Sequence, residues 1–218
     1  MFPKEVESRI RELSSYIAPT AESERQRVLV YMFIEQILSS IGNVMICPFG
    51  SFALKAYLPD SDMDIAVFSG TETDVSKLVD TIKIALEAHT RKGSGDLHIS
   101  RGDLQIISAP EVKIVKCFVG NIPVDICANQ LSGLSAVAFF DALDSLIGKQ
   151  HLYKRSVVLI KAWCYYESRI LASHNALLST MCLEMMVVHI CNCYYADLFS
   201  PLDVLYRFLY VFSVFDWE

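Results

Sequence analysis

Two pairs of side chains in the first third of the chain have types and spacing suited to phosphate chemistry. Gly50 and Ser51 come first, and Asp62 and Asp64 follow after a spacer of ten residues. If the second pair starts a strand, the alternation of side chains places both carboxylates on one face. Such close carboxylates repel each other unless a cation lies between them, and their oxygens suit Mg²⁺. The pattern predicts two metal ions ~3.5–4 Å apart, which could clamp the attacking and leaving oxygens of a phosphoryl-type displacement.

Gly50 and Ser51 supply the phosphate-binding half of this prediction. Glycine lets the backbone approach a phosphate closely, and Ser51 would open a short helix whose amides attract anions. The competing interpretation is a solvated turn at 59–62, in which aspartates only satisfy turn hydrogen bonds. The apolar residues at 63 and 65–67 place Asp64 within a strand, so we favour the catalytic interpretation.

A third carboxylate, Asp125, interrupts the apolar run 122–127. Taken alone, it is most simply an edge-strand residue that faces water. A buried carboxylate without a partner is costly, however, and Asp62 and Asp64 lie in another predicted strand. If the two strands share a sheet, the three carboxylates could surround the metal ions.

The hydrophobic pattern predicts the sheet that must position these residues. Strands are predicted at 44–49, 63–68, 113–119 and 122–127, the last two joined by a tight hairpin at Gly120-Asn121. Helices are predicted at 3–18, 20–40, 74–90, 135–147, 152–170, 177–195 and 202–215. The predicted fold class is therefore α+β, with a mixed sheet of four or five strands, flanking helices and a helical lobe.

We expect three segments along the chain. Residues 1–41 form N-terminal helices that pack on the helical lobe, 42–132 form the sheet domain, and 133–218 form the helical domain. The sequence stops at Phe215-Asp216-Trp217-Glu218, directly after an apolar helix. This ending is typical of a cut within a domain, so we expect the helical domain to be incomplete.

Composition excludes several classes of protein. Of 218 residues, 53% are apolar and 20% charged, which excludes a disordered chain. The seven cysteines include no C-x-x-C pair, which argues against a disulfide framework or zinc site and for a reducing compartment. No secretory signal is present at the N-terminus. Charged residues such as Glu184 interrupt the most apolar stretch, 176–199, so we expect an intracellular protein without a membrane span.

The net charge of −6 argues against nucleic-acid binding by bulk positive charge. Residues 145–175 nevertheless contain five cations and one anion, a local balance of +4. Lys149, Lys154 and Arg155 are therefore candidate RNA contacts. A solvated helix face is the alternative interpretation.

These motifs together resemble those of the DNA polymerase β-like nucleotidyltransferases. Within that superfamily, the chain is similar to the non-canonical poly(A) polymerase and terminal uridylyltransferase branch. Gly-Ser, Asp-x-Asp and the later Asp125 match its metal-site signature, and 124–130 matches its third-aspartate segment. Leu-Ile-Lys-Ala-Trp at 159–163 matches its lysine-x-tryptophan helix, and Leu-Ser-Thr at 178–180 resembles its Leu-Ser-Ser/Thr-Tyr element. The resemblance extends from about Ser23 to the C-terminus.

The resemblance implies a nucleotidyltransferase palm, a helical PAP/OAS1-like substrate-binding lobe, and template-independent RNA tailing. A nucleoside monophosphate from ATP or UTP would be added to an RNA 3′ end, with release of pyrophosphate. Two Mg²⁺ or Mn²⁺ ions are the implied cofactors, and an accessory RNA-binding subunit is a candidate partner. The cysteine usage and the interrupted apolar stretch lead us to expect a nuclear or cytoplasmic location and no association with membranes.

The resemblance assigns roles residue by residue. Asp62 and Asp64 would ligate both metal ions, and Asp125 would ligate the ion that activates the RNA 3′-hydroxyl. The nucleotide would be held by five further residues: Gly50 and Ser51 on the β- and γ-phosphates, Lys161 on the triphosphate, Asn129 on the ribose and Ser179 on a phosphate oxygen.

Two positions depart from the family pattern. Tyr165 stands where many members have a second lysine, and Met181 stands where a tyrosine stacks on the base. These departures favour an alternative, in which the chain is an inactive fragment or paralogue that binds RNA or protein. The intact carboxylates favour the enzyme. A further alternative keeps the chemistry but uses a small molecule, a nucleotide or a protein as the acceptor.

Overall fold

The computed structural model describes residues 3–70, 74–90, 97–99, 102, 104–108, 113–171 and 177–216. The helices are α1 Lys4–Ile17, α2 Ala21–Ser39, α3 Gly50–Leu54, α4 Val75–Ala88, α5 Leu131–Ile147, α6 Leu152–Ala162, α7 Thr180–Tyr194 and α8 Pro201–Ser213. The strands are β1 Val44–Phe49, β2 Met63–Ser69, β3 Gln105–Ser108, β4 Lys113–Val119 and β5 Ile122–Ala128. Of the terminal residues on which the predicted cut rested, Trp217 and Glu218 lie outside this description.

The five strands form one mixed sheet in the order β1-β2-β5-β4-β3. The central pair, β2 and β5, is parallel, and the other neighbouring strands are antiparallel. The α+β fold class is therefore confirmed. The hairpin predicted at Gly120-Asn121 is also present, because Val119 pairs with Ile122. Gly120 takes a positive φ of 60°, which a two-residue hairpin turn requires and glycine tolerates.

Alternation along the strands separates a buried face of the sheet from the face that carries the carboxylates. On the face opposite Asp64 and Asp125, eight apolar residues of the three central strands are at most 1% exposed: Met63, Ile65, Val67, Val115, Cys117, Val119, Val124 and Ile126. Helices α2 and α4 pack against the sheet. Asp64, Lys116 and Asp125 alternate with the buried residues and therefore project from the other face.

The helical part of the chain is organised around α6. Nine of its eleven residues are buried, and α1, α7 and α8 all pack against it. All seven residues of the run 156–162 are buried, and five of them are apolar, as expected for a helix within a core. The charged Lys161 lies within this buried helix.

Two elements differ from the predictions. Strand β3 was not predicted because it is a short edge strand with mostly exposed side chains and hence no hydrophobic alternation. The helix predicted at 152–170 instead ends at Ala162 and continues as one π-helical turn, Trp163–Glu167. Ser168 N donates to Trp163 O across five residues at 3.0 Å, the spacing that defines a π turn.

The chain divides into two compact units. The sheet unit contains 20–55 and 60–139, and the helical unit contains 1–19, 56–59 and 140–218. Helix α1 thus belongs to the helical unit and α2 to the sheet unit, and the division falls within α5. The boundaries predicted from the sequence, at 41/42 and 132/133, stay a prediction.

Among the described helices, none taken singly is long and apolar enough to cross a membrane. Leu131–Ile147 and Leu152–Glu167 meet that criterion only as a pair, bent by 118° between them.

Candidate active site

The strand register brings two of the three predicted carboxylates together. Asp64 of β2 is the Cα partner of Asp125 of β5, and Asp125 is also the partner of Lys116 of β4. Because paired residues on neighbouring strands project to the same face, the three side chains form a row across three strands. Asp62 lies two residues before Asp64, at the entrance to β2. We call Asp64, Asp125 and Lys116 the charged row.

The Asp125 carboxylate is mostly buried and is paired with a lysine. Lys116 Nζ donates to Asp125 Oδ2 at 2.5 Å, and the Asp125 side chain is 14% exposed. Burial raises the pKa of Asp125, the Lys116 ammonium opposes that shift, and the negative charge of Asp62 adds to it. Asp125 thus lies beside Asp64 in the sheet and is affected by the negative charge of Asp62.

Gly50 is constrained by its closeness to the charged row. It begins α3 with a positive φ of 65°, and a Cβ added there would overlap Asp64 Oδ2. Any other residue would therefore have to displace the carboxylate. Ser51, the next residue, is buried. Together they bring the start of α3 against β2, where the sequence pattern placed a phosphate contact.

Asn129 joins the ends of the two parallel strands. Its backbone N donates to Val67 O at 2.9 Å, and its Oδ1 accepts from Ser69 N at 3.2 Å. The residue adopts a left-handed φ of 54°, which asparagine tolerates better than most residues. The side-chain oxygen is thus engaged by the protein backbone.

Two other predicted nucleotide contacts lie in the helical unit. Lys161 is 7% exposed near the end of α6. Ser179 is the N-cap of α7, and its Oγ accepts from Cys182 N at 3.1 Å. Glu184 of α7 is also 7% exposed; burial raises its pKa to about 7, and the charge of Lys161 opposes the shift. Lys161 is therefore a buried cation with an acidic residue in its electrostatic surroundings.

The three predicted RNA contacts already have protein partners. Lys149 Nζ donates to Tyr195 O at 2.5 Å and to Leu198 O at 2.8 Å. Lys154 Nζ donates to Asp141 Oδ1 at 2.6 Å, and Arg155 donates to two backbone oxygens of the preceding loop. RNA binding by these side chains would have to compete with those contacts.

Sequence reasoning missed Lys116 and Glu184. For Lys116 a signal existed: the predicted hairpin pairs 119 with 122, and continuing that antiparallel register pairs 116 with 125. Lys116 also stands between Val115 and Cys117, which are buried. Glu184 was noted only as a charge that interrupts an apolar stretch, because its surroundings near Lys161 depend on how α6 and α7 pack.

The donor set fits a hard divalent cation. Asp62, Asp64 and Asp125 offer carboxylate oxygens, the ligands that Mg²⁺ prefers. Burial, and then the charge of Asp64, raises the pKa of the nearby Cys127 thiol to about 12, so that group remains a neutral thiol. Within the described residues, no three His, Cys, Asp or Glu side chains already lie close enough to hold a metal ion. The Lys116 ammonium instead contacts Asp125.

Family models match almost the whole chain. Residues 6–142 match the model described as "Poly(A) RNA polymerase, mitochondrial-like, central palm domain". The chain belongs to this family of poly(A) RNA polymerase palm domains. Residues 147–218 match the model of the PAP/OAS1 substrate-binding domain. The resemblance inferred from the sequence is therefore confirmed.

Curated relatives agree with this family. Poly(A) RNA polymerase cid14 of Schizosaccharomyces pombe is 30% identical over 156 residues, 67% of this chain and 20% of that protein. Poly(A) RNA polymerase CID14 of Cryptococcus neoformans is 29% identical over 147 residues, 66% of this chain and 18% of that protein. The chain thus spans about a fifth of the length of these relatives.

Solved structures confirm the fold. The Cid1 poly(U) polymerase bound to MgGTP matches 89% of this chain with a TM-score of 0.73 and 17% identity. A cytoplasmic RNA terminal U-transferase matches the same share with a TM-score of 0.69 and 17% identity. This chain covers 58% and 56% of those two chains. Cid1 has also been solved with the UTP analogue UMPNPP and with its short product ApU.

Proposed function

We propose that this palm and its helical unit catalyse template-independent addition of nucleotides to an RNA 3′ end. The observation that carries the proposal is the pairing of Asp64 with Asp125 beside Gly50, in a chain of the poly(A) RNA polymerase palm family. The reaction would transfer a nucleoside monophosphate from ATP or UTP and release pyrophosphate. Support for both nucleotides comes from relatives that are poly(A) and poly(U) polymerases.

In this proposal the sheet unit holds the reacting groups. Asp62 and Asp64 would bind both of two Mg²⁺ or Mn²⁺ ions, and Asp125 would bind the one nearer the RNA 3′-hydroxyl. Such ions, when bound, stabilise the attacking and leaving oxygens of a phosphoryl transfer. The backbone at Gly50 and the Ser51 hydroxyl would orient the β- and γ-phosphates. Most of the rate enhancement would then come from positioning and charge neutralisation.

The family pattern assigns the rest of the nucleotide to three further residues. Lys161 would pair with the triphosphate, since a buried ammonium is best satisfied by an anion. Ser179 would donate its hydroxyl hydrogen to a phosphate oxygen while its oxygen continues to cap α7. The amide nitrogen of Asn129 would reach the ribose. Each of these roles follows the family pattern and stays a proposal.

RNA would be bound along the basic segment that contains Lys149, Lys154 and Arg155. Because these side chains already contact the protein, their contribution to RNA affinity would be small, and an accessory subunit could supply the remainder. A reducing nuclear or cytoplasmic compartment fits the seven cysteines, all of which have free thiols.

An inactive binding module is the second candidate, and exposed side chains in the helical unit favour it. Tyr165, Tyr166 and Met181 are each at least 42% exposed, on the π turn and the first turn of α7. Exposed aromatic side chains can stack on unpaired bases without any catalysis. In this case RNA would bind with or without divalent metal.

The deciding experiment is extension of a labelled single-stranded RNA with Mg²⁺ and each nucleoside triphosphate separately. We expect tailing with ATP or UTP that disappears in the Asp62→Ala/Asp64→Ala protein. An Asp60→Ala protein is a matched control, because Asp60 lies in the preceding turn and outside the proposed ligands. RNA binding that is independent of metal, without extension by any nucleotide, would support the binding module instead.

A further inference from the structure

The charged row places a lysine beside the third carboxylate. Lys116, Asp125 and Asp64 lie on β4, β5 and β2, which are neighbours in the sheet. Neighbouring strands are about 4.7–4.9 Å apart, so Lys116 flanks Asp125 on the side opposite Asp64. The Lys116 ammonium contacts Asp125 Oδ2 at 2.5 Å. A divalent cation held by Asp125 would compete with Lys116 for this carboxylate.

The charges of this region explain why a lysine is needed there. Asp64 and Asp125 are partners on neighbouring strands, and the negative charge of Asp62 adds to theirs, so negative charge is concentrated in this region. Asp125 is mostly buried, which adds a desolvation penalty to its charged form. The ammonium of Lys116, in contact with Asp125, offsets part of that negative charge while no metal is bound.

The two partners differ in their freedom to move. The Asp125 side chain is 14% exposed and lies within a central strand, whereas the Lys116 side chain is 40% exposed and has four methylene groups. A half-exposed lysine can withdraw its ammonium into solvent while its stem stays against the sheet. Asp125 has no comparable alternative position.

We propose that Lys116 is a charge placeholder, whose ammonium neutralises Asp125 in the metal-free protein and is displaced when a divalent cation binds there. Lys116 is a positioning residue, and its role rests on the proposed metal-dependent function. The lysine keeps the site assembled and lowers its affinity for metal in the absence of nucleotide.

The test is titration of the nucleotide-free 218-residue chain with Mn²⁺, followed by electron paramagnetic resonance at about pH 8, above the ordinary range of carboxyl pKa values. Lys116→Met removes the competing charge, so we expect Mn²⁺ to bind about tenfold more tightly than to the unchanged chain. Lys116→Arg keeps the charge and should leave the affinity within about twofold. The thermal midpoint of the Lys116→Met protein should also rise more on addition of Mn²⁺.

Lys113→Met is the matched control. Lys113 lies on the same strand, but three residues away and on the opposite face, where its Nζ donates to Ser76 Oγ at 2.5 Å. Its replacement removes the same charge from the chain, and Mn²⁺ affinity should not change. In an Asp125→Asn background, Lys116→Met should likewise give no gain, because the carboxylate for which lysine and metal compete is gone.

The outcomes separate this role from the proposed function. If Asp62→Asn/Asp64→Asn leaves Mn²⁺ affinity unchanged, the proposed metal site itself is wrong. If that double variant weakens binding but Lys116→Met binds Mn²⁺ no more tightly than the unchanged chain, the metal site stands and the placeholder role is refuted. Equal gains from Lys113→Met and Lys116→Met would refute it too, since the effect would then be general electrostatics.

Discussion

Two largely buried carboxylates, one in each compact unit, differ in the groups that hold them in place. Asp144 of the helical unit is 1% exposed; its Oδ2 lies 2.6 Å from His151 Nδ1, and its Oδ1 accepts from Lys154 N at 3.2 Å. Lys154 Nζ lies 3.9 Å from Asp144 Oδ2. Asp125 of the sheet unit contacts the half-exposed ammonium of Lys116.

The difference separates a structural carboxylate from one that is available to a ligand. The partners of Asp144 come from the loop and first turn that follow it, where residues 149–151 all have left-handed φ values. Non-glycine residues adopt that conformation at an energetic cost, so fixed contacts are needed to hold the loop. Asp125 is held by one flexible side chain, which can leave when a stronger cation arrives.

The comparison is tested most strongly by Asp125→Asn. We expect RNA tailing to fall by on the order of a thousandfold, because several kcal/mol of metal-dependent stabilisation are lost. The urea midpoint should stay nearly unchanged, since Lys116 can turn to solvent. Asp144→Asn should do the reverse, with a lower midpoint and activity retained in the folded fraction. A larger loss of stability in Asp125→Asn than in Asp144→Asn would contradict the distinction.

Asp144→Ala should lower the free energy of unfolding by about 3 kcal/mol, because it removes a buried, charged hydrogen-bond acceptor from a network. Urea denaturation measures the change. The control is Asp141→Ala, which removes the exposed partner of the same Lys154 and should cost less than about 1 kcal/mol. Equal losses in the two variants would show that Asp144 is no more important to the fold than a surface ion pair.

Glu184 gives the helical unit a pH-dependent stability. Its pKa is raised in the folded chain from 4.5 to about 7, so the folded state binds the proton more tightly than the unfolded state. The stabilisation of the folded state by protonated Glu184 is therefore complete below pH 4.5. It is lost as the pH rises to about 7, which lowers the free energy of unfolding by about 3 kcal/mol in total.

Glu184→Gln should remove this dependence. The difference in unfolding free energy between Glu184→Gln and the unchanged chain, measured at several pH values, should grow across that interval and then level off. A difference that does not vary with pH would show that Glu184 is solvated or fully paired in the folded chain.

Gly50→Ala tests the sheet-unit half of the comparison, because Gly50 lies against Asp64, the partner of Asp125. The added Cβ would displace the Asp64 carboxylate, and a misplacement of about 1 Å can lower activity by on the order of a hundredfold. Gly42→Ala is the matched control, because Gly42 also has a positive φ, of 74°, with nothing within 4 Å of the added atom. Both variants should lose about 1 kcal/mol of stability, and only Gly50→Ala should lose tailing activity.

Much of the sheet unit could be predicted because its information is local. Apolar alternation predicts strands β1, β2, β4 and β5, and Gly120-Asn121 predicts the turn that fixes the register of the last two. Asp64 and Asp125 interrupt runs of apolar residues, and Asp62 directly precedes such a run, which makes all three carboxylates visible in the sequence. Strand β3 lacks alternation because it is an exposed edge, and no sequence pattern indicated it.

The helical unit could be predicted only in outline. Periodicity predicts its helices, but it does not show that α6 is buried nearly all round or that its end unwinds into a π turn. Lys149 illustrates the limit: its local charge balance indicated RNA, whereas the fold places its ammonium against the carbonyls of Tyr195 and Leu198.

Residue type and short-range spacing were enough to predict the family, four of the five strands and the three carboxylates, because they encode these features directly. The tertiary structure decided which charges meet: Asp64 with Asp125 across parallel strands, Lys116 with Asp125 across the hairpin, and Glu184 in the buried surroundings of Lys161. The energy of a charge depends on its burial and on its nearest opposite charge. Both are set by residues distant in the sequence, so only the folded chain could reveal them.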